Sequence, residues 1–222
     1  MNALTPINGR QTIEVVHDFV CPWSYLGVSR LMAALAQRPA EPFEIVWRPF
    51  LLNPDIPREG LTRQDYVIRK YGGEDRARRL YNTVSELGLQ SGIVFRFDRI
   101  QRVPSSLDAH RLAGWSARFG VATAMAEALF AAYFSEGADL GDLETLAQIA
   151  AAVGLDLAAA RRFLRGREGA DQVLSENLRA HRRGIGGVPC FVFGGKLAVS
   201  GAQESEVFQR LLDVAALEPS IA

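Results

Sequence analysis

The first apolar pattern in the chain is short and β-rich: residues 13–19, IEVVHDF, predict a strand. The next stretch, CPWSYLGVSRLMAALAQR, changes period. Its apolar positions Tyr25, Leu26, Leu31, Met32 and Leu35 recur at roughly helical spacing. Pro22 suits a first helical turn, having no N–H to orphan, and Pro39 helps to close the helix. Residues 43–48, FEIVWR, predict a second strand, so the chain opens as strand–helix–strand, an α/β unit with a parallel pair. The Pro-rich RPFLLNPDIPREG then reads as an extended connection. From 62 to 183 the pattern is almost entirely helical. Helices are expected over 62–71, 74–88, 106–119, 121–135, 142–153, 156–165 and 169–183, punctuated by glycines, with a capping signal at Ser105-Ser106-Leu107-Asp108. Strand character returns at 189–193; Gly194-Gly195 signals a hairpin into 196–200, and 203–217 form a last helix. The fold class is α/β. The expected division is one discontinuous domain, 1–61 with 184–222, interrupted by an α-helical insertion, 62–183.

Composition narrows the function. Of 222 residues, 48% are hydrophobic and 23% charged, ordinary for a soluble globular protein able to close one core. No apolar run approaches the ~18 residues of a membrane span. The N-terminus, MNALTPINGRQT, lacks an apolar signal core, so secretion by that route is not expected. Lys+Arg and Asp+Glu are 25 each; zero net charge argues against a general nucleic-acid or anionic-membrane binder. The arginines at 161, 162, 165, 167, 179, 182 and 183 sit among acidic residues on helices and read as a solvated face. Cys21 and Cys190 are too few for a disulfide framework, and with three scattered histidines give no zinc spacing, so no metal is expected. Reduced thiols fit a cytoplasmic location. Gly184-x-Gly186-Gly187 lacks the strand-then-helix setting of a dinucleotide loop, and no Gly-x-Ser-x-Gly elbow supports a hydrolase.

Cys21 carries the chemistry. It falls at a strand-to-helix junction, where the positive end of the helix dipole and the free N–H groups of the first turn favour the thiolate. Position alone leaves two readings, a nucleophile or a buried small hydrophobe.

Cys21-Pro22-Trp23-Ser24 after a hydrophobic strand resembles the active-site motif of the DsbA branch of the thioredoxin superfamily, closest to its FrnE-like subgroup. The resemblance extends through HDFVCPWSYLG, PFLLNPDIPREG, SSLDAHRL and GIGGVPCFVFGGKLAVSGAQ, and so covers most of the chain. It implies a thioredoxin-like fold interrupted by helices, and a cis Pro189 facing the site. It also implies that Val188 offers its backbone to an extended substrate, main-chain bonds giving affinity. Redox members carry a second cysteine where this chain has Ser24, which can hydrogen-bond a thiolate but cannot resolve a mixed disulfide. Three outcomes follow: a monothiol resolved by glutathione, resolution by Cys190, or a site without redox chemistry. Cys190 reads as a core thiol, since side chains alternate along a strand.

Asp18-Phe19-Val20-Cys21-Pro22-Trp23-Ser24-Tyr25-Leu26 is also similar to kappa-class glutathione transferases and 2-hydroxychromene-2-carboxylate isomerases. That likeness implies glutathione as a co-substrate with no bound cofactor. It places the γ-glutamyl carboxylate at Gly201-Ala202-Gln203, expected to open the last helix, Asn53 at the other end, and Trp23 along the cleft. Ser200 or Gln203 acting only as a helix cap is the structural alternative. Asp18, three residues before Cys21, either tunes the site or satisfies nearby N–H groups, and His17 reads as structural; Asp108 and His110, two apart on a helix, do not face each other. The expected activity is thiol–disulfide exchange by Cys21, supported by Ser24, on a disulfide-containing protein or small thiol. The alternatives are a glutathione-dependent isomerase or transferase and an inert peptide-binding module. Monomer and homodimer both fit.

Overall fold

The computed structural model describes residues 11–40 and 43–217. The ends of the outer expected segments, 1–10 and 218–222, and residues 41–42 lie outside the described residues. β1 (Gln11–His17) and β2 (Phe43–Pro49) pair in parallel, from Gln11 opposite Phe43 to His17 opposite Pro49. A parallel pair needs a crossover, and α1 (Pro22–Ala36) supplies it. β5 (Cys190–Phe193) lies antiparallel on the other side of β1, and β6 (Leu197–Ser200) antiparallel to β5, giving the order β2-β1-β5-β6. Gly194 and Gly195 turn the hairpin at φ 56° and 73°, the left-handed conformation a two-residue hairpin asks for.

Strand alternation divides the sheet's side chains between two layers. Ile13, Val15, Phe191 and Phe193 face one way, into a core with Leu26 and Leu31 of α1 and Phe208 of α9 (Ser205–Leu217). Val16, Cys190 and Val192 face the other way, packed with Phe50 and with Ala180 of α8 (Ala170–Arg182). The larger core runs on into the helical region through Leu112 of α4 (Leu107–Ser116) and Met125 and Phe130 of α5 (Ala122–Ala131). α2 (Arg63–Tyr71) starts where the Thr62 hydroxyl accepts the Asp65 N–H at 3.1 Å. α3 (Glu74–Gln90) follows the Gly72-Gly73 turn. α6 (Leu143–Ala152) and α7 (Leu157–Arg165) are capped by Asp142 and Asp156.

Boundaries differ from expectation where local chemistry overrides periodicity. The first strand stops at His17, releasing residues 18–20 to turn into α1. The expected helix 106–119 becomes α4 plus a 3₁₀ turn, Ala117–Phe119, closed by Gly120 at φ 73°. That at 121–135 becomes α5 plus a π-turn, Ala132–Glu136. The last helix begins at Ser205, so Gly201–Ala202–Gln203 is a loop before it rather than its first turn. Gly201 is left-handed at φ 85°, and the Gln203 N–H is taken by the Gly201 carbonyl at 2.9 Å. β3 (Leu61–Thr62) and β4 (Arg102–Val103) pair as a separate ribbon, too short to leave a sequence pattern.

α1 approaches two loops very closely. A Cβ on Gly27 would stand 3.0 Å from both Phe191 Cζ and Pro189 Cγ, and 3.2 Å from Ala202 Cα. Gly27→Ala is therefore expected to cost about 1–3 kcal/mol through overpacking. Gly114→Ala, in α4 with nothing within 4 Å of its new methyl, should gain roughly 0.5–1 kcal/mol from helix propensity. Thermal denaturation of the two variants checks both signs; an unchanged midpoint for Gly27→Ala contradicts the close approach.

Candidate active site around Cys21

Cys21 is the N-cap of α1, extended at φ −99° and ψ 112°, and its side chain caps no N–H. The chain reaches it by a tight turn in which the Cys21 N–H donates to the Asp18 carbonyl at 3.0 Å. The Cys21 carbonyl then accepts from Ser24 and Tyr25, at 3.0 and 3.3 Å, and starts the helix. The thiol is 3% exposed and donates to the Val188 carbonyl at 3.5 Å. The Val188–Pro189 bond is cis. The Pro189 carbonyl accepts from the Gly201 N–H at 2.8 Å. Cys21, Val188, Pro189, Gly201 and Ala202 thus lie along one face of α1.

Ser24 is fully buried, and its hydroxyl accepts the Asp18 N–H at 3.4 Å. Trp23 is half-buried against the main core. Asn53 is held by other partners: Lys70 Nζ donates to its Oδ1 at 3.0 Å, and its Nδ2 donates to the Tyr66 hydroxyl at 3.4 Å. The Gln203 side chain donates to the Ser200 carbonyl at 2.7 Å, so it secures the loop and does not cap α9. Cys190 lies in the second apolar cluster, on the sheet face opposite Phe191, while Phe191 faces α1.

The thiolate expectation fails. Burial pushes the Cys21 thiol up to about 11. The Ser24 hydroxyl and the N–H groups of Ser24 and Trp23 pull downward, and the Asp18 carboxylate adds to the rise. Magnitudes explain the outcome. A helix end is worth roughly 0.3–1 kcal/mol, less than the ~1.4 kcal/mol of one pKa unit. Full burial can move a group by several units.

Asp18 lies beneath the site and is fully buried. It accepts the Leu52 N–H at 2.7 Å and the Val20 N–H at 3.3 Å, which pins the residues after β2 and before Cys21 together. His110 Nε2 approaches its carboxylate at 3.5 Å, ion-pair range rather than a close hydrogen bond. Burial alone would raise Asp18; His110, the Leu52 N–H and Ser106 outweigh it and hold the carboxyl below its ordinary value. His17 packs edge-on against Phe19, Trp47 and His110, and burial drives it down to about 3, so it is neutral.

Two cavities share Tyr66, and one of them is bordered by the residues on either side of Cys21. One of about 20 Å³ is lined by Val20, Pro22, Tyr66, Tyr71, Tyr81 and Tyr133, room for about one water molecule. Burial chiefly raises Tyr66, to about 12, and Tyr71; a charge on Cys21 raises both further, so the phenols sense the sulfur. The second, of about 230 Å³, is bordered by Leu52, Asn53, Tyr66, Arg69 and Lys70. Sequence reasoning missed Lys70 and the tyrosines, and weighed His110 against Asp108 rather than Asp18. The one usable signal was that Lys70 is one of two lysines in the chain. Among the described residues no group of three or more His, Cys, Asp or Glu side chains is placed to hold a metal ion, and no helix is long and apolar enough to cross a membrane.

A cysteine at the head of a helix, facing the carbonyl before a cis-proline, on a four-stranded sheet of this order, defines a thioredoxin-like protein. The family model for the DSBA-like thioredoxin domain matches residues 12–213, and the chain belongs to that family. A probable DsbA oxidoreductase from Streptomyces coelicolor is 30% identical, with a TM-score of 0.83 over 93% of this chain and 90% of that one. Two structures share the fold at lower identity. A 2-hydroxychromene-2-carboxylate isomerase is 20% identical, TM-score 0.70, over 93% of this chain and 95% of that one. The cytosolic disulfide reductase DsbM from Pseudomonas aeruginosa, with GSH, is 17% identical, TM-score 0.65, over 91% and 98%.

The buried thiol predicts that alkylation of Cys21 by iodoacetamide, followed by mass spectrometry in the Cys190→Ala background, still accelerates above pH 10. A plateau below pH 9 would contradict the burial argument. Asp18→Asn removes a like charge and should move the profile to lower pH, by on the order of half to one unit.

Proposed function

We propose that the protein is a monothiol thiol–disulfide oxidoreductase that uses glutathione. The observation that carries the reading is the Cys21 sulfur at the head of α1, 3.5 Å from the Val188 carbonyl. Ionised Cys21 attacks one sulfur of a disulfide; its proton goes to water, a Cys21–substrate disulfide forms, and the other thiolate leaves. A glutathione thiolate then attacks the substrate sulfur of that bond and releases Cys21 as a thiolate. Ser24 supports the anion but cannot replace glutathione. A thiol of raised pKa is scarce as thiolate but more nucleophilic once ionised, which partly offsets the scarcity.

The glutathione backbone would pair with Val188 as an added strand. Its γ-glutamyl carboxylate would meet the Gly201–Gln203 loop, and its glycyl carboxylate would meet Lys70 and Asn53 beside the second cavity. Trp23, and Tyr66 at the second cavity, would border the substrate. The free cysteines fit a reducing, cytoplasmic setting. A second reading, a glutathione-dependent isomerase or transferase, draws support from the fold shared with the 2-hydroxychromene-2-carboxylate isomerase.

Intact mass after exposure to oxidised glutathione tests the proposal. The expected product is one glutathione adduct, absent in Cys21→Ala and retained in Cys190→Ala. An internal Cys21–Cys190 disulfide would replace the monothiol scheme with a dithiol one. No product, with Cys21 shown accessible to alkylation, would move the assignment to the isomerase or to a peptide-binding module.

A further inference from the structure

Arg30 lies on α1 three residues after Gly27, so both face the same loops. It is 4% exposed, and its donors are spent on four sites. Nη1 donates to the Ala202 carbonyl at 2.9 Å and reaches the Gln203 carbonyl at 3.5 Å. Nη2 pairs with the Glu204 carboxylate at 2.9 Å, and Nε donates to the Ser91 hydroxyl at 3.1 Å, just past the end of α3. A peptide unit is planar, so a carbonyl drawn toward α1 turns the N–H on the other side of that unit away from it. Holding Ala202 O and Gln203 O therefore turns the Gln203 and Glu204 N–H groups away from the guanidinium. Gln203 N–H closes the tight turn onto Gly201, which leaves the Glu204 N–H, turned away from the guanidinium, as the group an anion would meet. The Glu204 carboxylate, 62% exposed, already answers the guanidinium charge. What remains for Arg30 is geometry.

We propose that Arg30 is the positioning residue that sets the peptide orientations of the 201–204 loop, and through them the affinity for the anionic end of a thiol or disulfide substrate. The inference rests on the glutathione reading for its substrate, but not for its geometry. A lysine at 30 keeps the charge and loses the planar fork that takes two carbonyls and Ser91 together, so it should substitute only in part.

The experiment measures mixed-disulfide formation at Cys21 against concentration, with two disulfides: oxidised glutathione, which is anionic, and bis(2-hydroxyethyl) disulfide, which is neutral. For Arg30→Met the half-saturating concentration of oxidised glutathione should rise between roughly tenfold and a hundredfold. The limiting rate, and the rate with the neutral disulfide, should stay within about twofold of the parent. Arg30→Lys should fall between the parent and Arg30→Met. Ser91→Ala, which leaves the loop carbonyls held, should behave as the parent. Equal losses with both disulfides, or no loss with oxidised glutathione, overturn the proposal. If Arg30→Met does not fold by circular dichroism, Arg30→Lys and Arg30→Gln carry the same comparison. Backbone amide resonances of residues 202–204, titrated with sulfate, separate the two readings. If the parent forms no glutathione adduct, but sulfate shifts those resonances in the parent and not in the Arg30 variants, the glutathione reading falls and the role of Arg30 stands. If sulfate shifts nothing in the parent, the role of Arg30 falls.

Discussion

The close approach of α1 to two loops is the constraint on which the site depends. A helix with an ordinary side chain at position 27 would stand further from Pro189 and Ala202, and Cys21, at its head, would move with it. The hydrogen-atom side chain lets the helix backbone meet the Phe191 and Pro189 side chains and the Ala202 backbone. One rigid element therefore sets the sulfur, the carbonyl before the cis-proline and the 201–204 loop in a single frame. The Gly201 N–H to Pro189 carbonyl bond locks the two loops to each other, so neither can shift alone.

Burial sets the electrostatics. The same packing that fixes Cys21 strips it of water, and this outweighs the helix end that a sequence reader would credit. Asp18 shows the opposite balance: it is as deeply buried, but accepts N–H groups from Leu52 and Val20 and faces His110, and so stays below its ordinary value. Two ionisable groups three residues apart are thus driven in opposite directions: Asp18 faces His110 and stays low, while Cys21 faces the Asp18 charge and goes up.

Much of the architecture was legible. The strand–helix–strand opening, the helical middle and the Gly194-Gly195 hairpin follow from periodicity and turn chemistry, because both are local. The start of α9 was misplaced because Gly201 and a short turn keep Gln203 outside the helix, a preference that apolar spacing does not record. Cys21 was visible as a residue at a strand–helix junction. Its raised pKa was not, since burial is a property of the whole packed core. The contacts of Arg30, Lys70 and His110 were invisible for a related reason. Arg30 finds Ala202 at a separation of 172 residues, and nothing in either neighbourhood advertises the other. The cis bond at Pro189 could be expected only through resemblance to a family, because the chain's own pattern near 189 reads simply as strand.

Cys190 faces the layer of Val16, Phe50 and Ala180, away from the face on which α1 carries Cys21. Two thiols fixed on opposite sides of a sheet have no useful effective concentration for one another, however near they are in sequence to the same loop. Under the monothiol reading, a disulfide formed at Cys21 would then be opened by a thiol from outside this chain rather than by Cys190. Its lifetime would scale inversely with the abundance of free small thiols in the surroundings. Acting as a monothiol, the site would balance on the ratio of oxidised to reduced small thiol, whereas a paired-cysteine relative, whose reduction consumes two thiols, would respond to the size of the pool as well.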